Sequence, residues 1–106
     1  MSGPITPDDI DAVIHERVRL SIVSTLAVVQ EMSFSELKKT LSLTDGNLSA
    51  HARTLEVSGY IEIEKSFRSR RPYTAMRLTR KGREAFQRYL LQLQRIIEQG
   101  KETSKS

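Results

Sequence analysis

Two capped helix starts, separated by a turn of only Ser42-Leu43-Thr44, constrain this chain more than any other feature. In Met32-Ser33-Phe34-Ser35-Glu36-Leu37, Ser33 and Glu36 have the spacing of a capping box, and Met32 with Leu37 that of a hydrophobic staple. The spacing predicts a short helix ending near Leu41. In Leu43-Thr44-Asp45-Gly46-Asn47-Leu48, Thr44 is the cap and Leu43 with Leu48 the staple of a second helix. That helix is expected to run to about Ser58, where Gly59 supplies a left-handed stop. So short a connection forces the two helices to turn sharply.

The flanks complete an order of elements. Upstream, over 6–29, Thr6 caps, Pro7 suits a first helical position, and Asp8 and Asp9 face the positive helix end. Ile5 and Ile10 have staple spacing, and Ile10, Val13, Ile14, Val18, Ile22, Val23 and Leu26 recur with a helical period. This pattern fits one helix or two meeting near His15-Glu16. Downstream, over 60–78, the period falls to two: Ile61 and Ile63 alternate with Glu62 and Glu64, and Met76 and Leu78 with Ala75 and Arg77. Phe67-Arg68-Ser69-Arg70-Arg71-Pro72 reads as the hairpin tip. Thr79 then caps a last helix over 80–99, with Phe86, Leu90, Leu93 and Ile97 on one face and Tyr89 and Ile96 beside them. The Lys-Glu-Thr-Ser-Lys-Ser tail after Gly100 is expected to fray. The fold class is mainly α with a small β-hairpin (α+β), a winged helix-turn-helix forming one domain over 1–106.

Charge points the same way. Seventeen Lys and Arg against thirteen Asp and Glu leave a net +4. Between Lys65 and Arg83 lie eight basic residues and no acidic one, whereas the first sixteen residues are net acidic. Such a segment suits a polyanionic partner. Without cysteine there is no disulfide, thiolate metal site or cysteine nucleophile. His15 beside Glu16 falls short of a zinc set, so no metal and no cofactor are expected. There is no Gly-rich phosphate loop and no HExxH, and the chain reads as a non-enzyme. No apolar run is long enough to span a membrane, the N-terminus lacks a signal-peptide pattern, and the cytoplasm is the expected location.

Over roughly 10–97 the sequence resembles the MarR/ArsR-like winged-helix transcriptional regulators, in particular their short single-domain members. The resemblance is carried by Arg19-Leu20-Ser21-Ile22-Val23-Ser24-Thr25-Leu26, Phe34-Ser35-Glu36-Leu37, Leu43-Thr44-Asp45-Gly46-Asn47-Leu48-Ser49-Ala50-His51, Leu55-Glu56-Val57-Ser58-Gly59-Tyr60-Ile61 and Leu78-Thr79-Arg80-Lys81-Gly82-Arg83. Each piece is short, and their specificity lies in their order and spacing. The resemblance implies a homodimer on a palindromic operator of double-stranded DNA, usually a repressor, with an unidentified small-molecule effector accommodated at the dimer interface.

Reading a duplex needs a rigid rod whose N-terminal end carries short polar side chains into the major groove. The helix over 45–58 fits. Leu48, Ala52 and Leu55 anchor it, while Thr44, Asp45, Gly46, Asn47, Ser49, Ala50, Arg53 and Thr54 are its candidate DNA contacts. Gly46 and Ala50 permit close approach, Arg53 suits guanine, and Asn47 suits adenine or a phosphate. On the wing the candidates are Lys65, Arg68, Ser69, Arg70 and Arg71, with no acidic partner nearby in sequence and Pro72 to stiffen the loop. A solvated charged loop is the ordinary alternative. Arg80, Lys81 and Arg83 sit at the wrong helix end for cations, which a phosphate would offset unless that end faces away from DNA. His51 reads as a packed, hydrogen-bonded residue.

A chain this small does not obviously cover two apolar stripes in one core, so Ile10 and Val13 from the first and Phe86, Tyr89, Leu90, Leu93, Ile96 and Ile97 from the last are assigned to dimerisation. Two other readings use the same surface: a module that binds an acidic protein, and a non-specific DNA binder.

Overall fold

The computed structural model describes residues 3–105. A single 3-10 turn, Pro7–Asp9, precedes α1 (Arg17–Val28), β1 (Met32–Ser33), α2 (Phe34–Leu41), α3 (Asp45–Val57), β2 (Ile61–Arg68), β3 (Arg71–Leu78) and α4 (Arg80–Lys105). The start read at Thr6 thus makes one turn only, closed by Asp9 accepting from the Thr6 N–H at 2.8 Å. Two carboxylates then organise the approach to α1. Asp11 accepts from the backbone of Val13 and Ile14, and Glu16 caps α1 by accepting from Val18 and Arg19 at 3.0 and 2.8 Å. The apolar period therefore crosses a non-helical break, and α1 begins where His15-Glu16 left two alternatives.

The capping box forms as its spacing predicts: Glu36 N–H donates to Ser33 Oγ at 3.0 Å, and Ser33 N–H donates to Glu36 Oε1 at 3.1 Å. Ser42, left-handed at φ 55°, ends α2 without a glycine. Replacing Ser33 with alanine should cost about 1 kcal/mol in urea denaturation, the usual worth of an N-cap. The Ser33 N–H bond holds the Glu36 carboxyl below its ordinary range. Its contribution is therefore full above the unfolded-state value and is lost as pH falls through the lower folded value. Denaturation of Glu36→Gln at descending pH should show a shallower acid limb; an unchanged limb would remove Glu36 from this role.

The hairpin pairs from Ile61↔Leu78 to Arg68↔Arg71. Its tip is shorter than the expected six-residue loop, because Phe67 and Pro72 face each other within the ladder. Only Ser69 and Arg70 turn, both with positive φ (53° and 67°), the geometry that matches strand twist in a two-residue hairpin. A third strand joins them: β1 pairs antiparallel with β3, Met32 opposite Met76. Two residues carry no periodicity, so this strand was invisible in the sequence.

One core cluster gathers Ile22, Val23, Leu26, Leu37, Leu48, Ala52, Leu55, Ile61 and Met76. A second joins Ile14 to Ala85 and Tyr89 of α4. The stripe of α1 is covered within one chain, which corrects half of the two-stripe argument. Thr79 caps α4, accepting from Gly82 N–H at 3.0 Å while donating to the Gly59 carbonyl at 2.6 Å. Helix α4 does not fray at Gly100 but continues to Lys105, with Lys101 paired to Glu98 at 3.7 Å. A glycine inside a helix costs only about 1 kcal/mol, too little to stop one in mid-course. The molecule measures 62 × 25 × 21 Å, with a radius of gyration of 16.3 Å. A compact chain of this size has about 13 Å. The difference is the distal half of α4, which projects from the body.

Candidate nucleic-acid interface

Helix α3 is anchored by the buried Leu48, Ala52 and Leu55. Thr44, Asp45, Gly46, Asn47, Ser49, Ala50, Arg53 and Thr54 are all exposed. Three of these eight have structural tasks. Thr44 Oγ1 accepts from Asn47 N–H at 3.0 Å, Asp45 pairs with Lys38 at 2.8 Å, and the Thr54 hydroxyl donates back to the Ala50 carbonyl at 3.3 Å. The side chains of Asn47, Ser49 and Arg53 make no such bond among the described residues, leaving their polar atoms open to a ligand. His51 is half-buried, with Nδ1 3.1 Å from Arg19 and 3.5 Å from Glu16, so it ties α3 to the cap of α1.

The wing stands beside α3, and an open groove of about 630 Å³ runs between them, lined by Ser49, Arg53, Lys65 and Thr74 among others. Lys65, Arg70 and Arg71 are exposed and form no ion pair among the described residues. Arg68 differs from the expectation of a partnerless loop. It reaches Glu31 at 3.2 Å and lies 3.8 Å over the Tyr73 ring. Glu31 enters from the segment before β1, a neighbour no local reading supplies. Arg77 completes the network with Glu31 and Glu64 at 2.9 Å and Glu62 at 3.3 Å. Its hydrogen bond holds the Glu31 carboxyl below the usual carboxylate range. This network braces one face of the wing and leaves the other to the groove. Sequence reasoning missed Glu31, and no local signal marks it.

The basic start of α4 is engaged internally. Arg80 pairs with Glu84 at 3.3 Å, Arg83 donates to the Ala27 carbonyl at 3.3 Å, and Lys81 Nζ lies 5.9 Å from the Tyr60 ring. Arg83 therefore meets the negative end of α1, which compensates for its unfavourable place on α4.

Among the residues assigned to dimerisation, Ile10, Val13, Phe86 and Leu93 are half-buried in the single chain. Tyr89 is buried there, its hydroxyl 2.8 Å from His15 Nδ1. Leu90 (46%) and the unassigned Leu91 (61%) are exposed near the middle of α4, and Ile96 (43%) and Ile97 (55%) on its projecting half. Among the described residues no group of three or more His, Cys, Asp or Glu comes together to hold a metal. No helix among them is long and apolar enough to cross a membrane.

A bi-helical unit with a free polar face, flanked by a basic two-stranded wing, is a surface for a duplex. A family model described as a winged helix DNA-binding domain matches residues 18–97. The chain belongs to that family. An uncharacterized protein of Methanocaldococcus jannaschii is 42% identical to this winged-helix domain over 84 residues, covering 76% of this chain and 91% of that protein. A solved structure described as a transcriptional regulator homologue from Pyrococcus horikoshii OT3 is 35% identical, with a TM-score of 0.77 over 81% of this chain and 85% of that one. MarR shares the fold at a TM-score of 0.68 and 24% identity, covering 78% of this chain and 60% of its own. The winged-helix domain is thus similar to transcriptional regulators, as the order of its motifs implied.

Proposed function

We propose that this winged-helix domain is a homodimeric, sequence-specific transcriptional repressor that binds a palindromic operator in the cytoplasm. Helix α3 enters the major groove, where Arg53 and Asn47 read base edges and Ser49, Gly46 and Ala50 allow close approach. Lys65, Ser69, Arg70 and Arg71 hold the neighbouring backbone. Arg68 joins them only by leaving Glu31. The two protomers meet through the projecting half of α4, which sets the α3 pair about one DNA turn apart. A bound dimer then blocks access to the operator.

The observation that carries this reading is the groove in which Arg53 and Ser49 of α3 face Lys65 of the wing. Selection from random duplexes should enrich a palindrome with half-sites one turn apart. Arg53→Ala should then lose about 1–3 kcal/mol at one base position while the salt slope stays nearly constant. Arg71→Ala should instead lower that slope by about one and leave base preference intact. If no sequence is enriched and binding is weak even at low salt, the same surface is better read as a site for an acidic protein.

A further inference from the structure

Strand pairing sorts the wing into two unlike faces. On β2, Ile61, Ile63, Lys65 and Phe67 point one way, opposite Leu78, Met76, Thr74 and Pro72 of β3. The inner rungs of that face belong to the core or pack against it. The Lys65–Thr74 rung lines the groove beside Arg53 and Ser49. The Phe67–Pro72 rung is next outward on the same face, and Phe67 is 74% exposed. The other face holds Glu31, Arg68 and Arg77, and its aromatic residue, Tyr73, lies beneath a guanidinium. Phe67 lies in no aromatic or cation pair among the described residues.

We infer that Phe67, backed by Pro72, is an apolar wedge that the wing presses into the minor groove at a deformable base step. The inference rests on the DNA-binding reading above and deepens it. The occupant follows from charge: Lys65 shares the face of Phe67, Arg70 stands in the turn and Arg71 begins the opposite face beside it, all without acidic partners among the described residues, so a polyanion is attracted and the like-charged wing of a second copy is repelled. A duplex offers phosphates for those cations beside an apolar stack of bases for the ring, and the family match to a DNA-binding domain favours it over other polyanions. Phenylalanine and proline unstack base steps from the minor groove, and pyrimidine–purine steps yield most readily. Phe67 would thereby select sequence through deformability, at a position where no side chain reads a base edge.

The test uses the full chain and the duplex that it selects. Phe67→Ala should remain folded by circular dichroism, since the ring is exposed. It should bind about tenfold more weakly, the scale of one lost base-pair contact, with an unchanged salt slope. Energy transfer between dyes at the duplex ends should report a smaller bend. A repeated selection should lose a TA or CA/TG step beneath the wing, and Phe67→Leu should restore most of each effect. Wild-type affinity and bend in Phe67→Ala would overturn the wedge while leaving the α3 reading intact. So would weaker binding with the same bend and the same step preference. A wild-type chain that enriches no sequence would overturn both readings together.

Discussion

Gly82→Ala is expected to destabilise the fold by about 3 kcal/mol or more, although alanine is the better helix former. A Cβ at Gly82 would lie 2.0 Å from the Tyr60 carbonyl oxygen and 2.8 Å from its carbon, closer than atoms can approach. That obstacle is backbone and has little freedom to move. Tyr60 N–H donates to the Leu55 carbonyl at 2.9 Å, and Thr79 N–H donates to the Tyr60 carbonyl at 3.0 Å. Relief would have to lift the start of α4 off the α3–β2 turn, breaking the Thr79 cap as well. Helix propensity alone favours alanine by about 1 kcal/mol, so the two effects oppose each other in sign. Urea denaturation decides between them, and thermal unfolding should fall by about 10 °C or more. A variant as stable as wild type would show that the close approach of α4 to Tyr60 is not as drawn.

The second large effect concerns assembly. Leu90→Glu combined with Ile97→Glu should leave a folded monomer whose affinity for the selected palindrome falls on the order of 1,000-fold, to the level of non-specific binding. Both residues are about half exposed in the single chain, whereas the core clusters lie elsewhere. Their substitution should therefore leave the circular dichroism spectrum intact. Sedimentation equilibrium reads the mass and operator titration reads the affinity. A dimer that survives both glutamates would move the interface away from α4. A monomer that keeps full operator affinity would remove the two-fold from recognition.

Much of this molecule was legible because its signals are local. Ser33 with Glu36, Thr44 before Asp45, Gly59 after α3 and Thr79 before α4 each act on backbone groups within a few residues, so spacing alone locates them. The change of period at Ile61 marked the strands for the same reason. Reading failed where a partner came from far along the chain. Glu31 neutralises Arg68, Arg83 caps α1, and Tyr89 fills a pocket made by Ile14 and His15. The pattern from Ile10 to Leu26 also hid its break at Glu16, since a non-helical link can preserve the spacing of apolar residues.

The sequence by itself determined the order of elements, the polar face of α3 and the basic wing, because helix caps, amphipathic periods and turn chemistry are set by neighbours along the chain. Only the tertiary structure decided which arginines remain open to a phosphate, how much of α4 is left uncovered and which wing face meets the groove. Those outcomes depend on charges and surfaces brought together from distant segments, and burial and pairing are properties of that assembled neighbourhood.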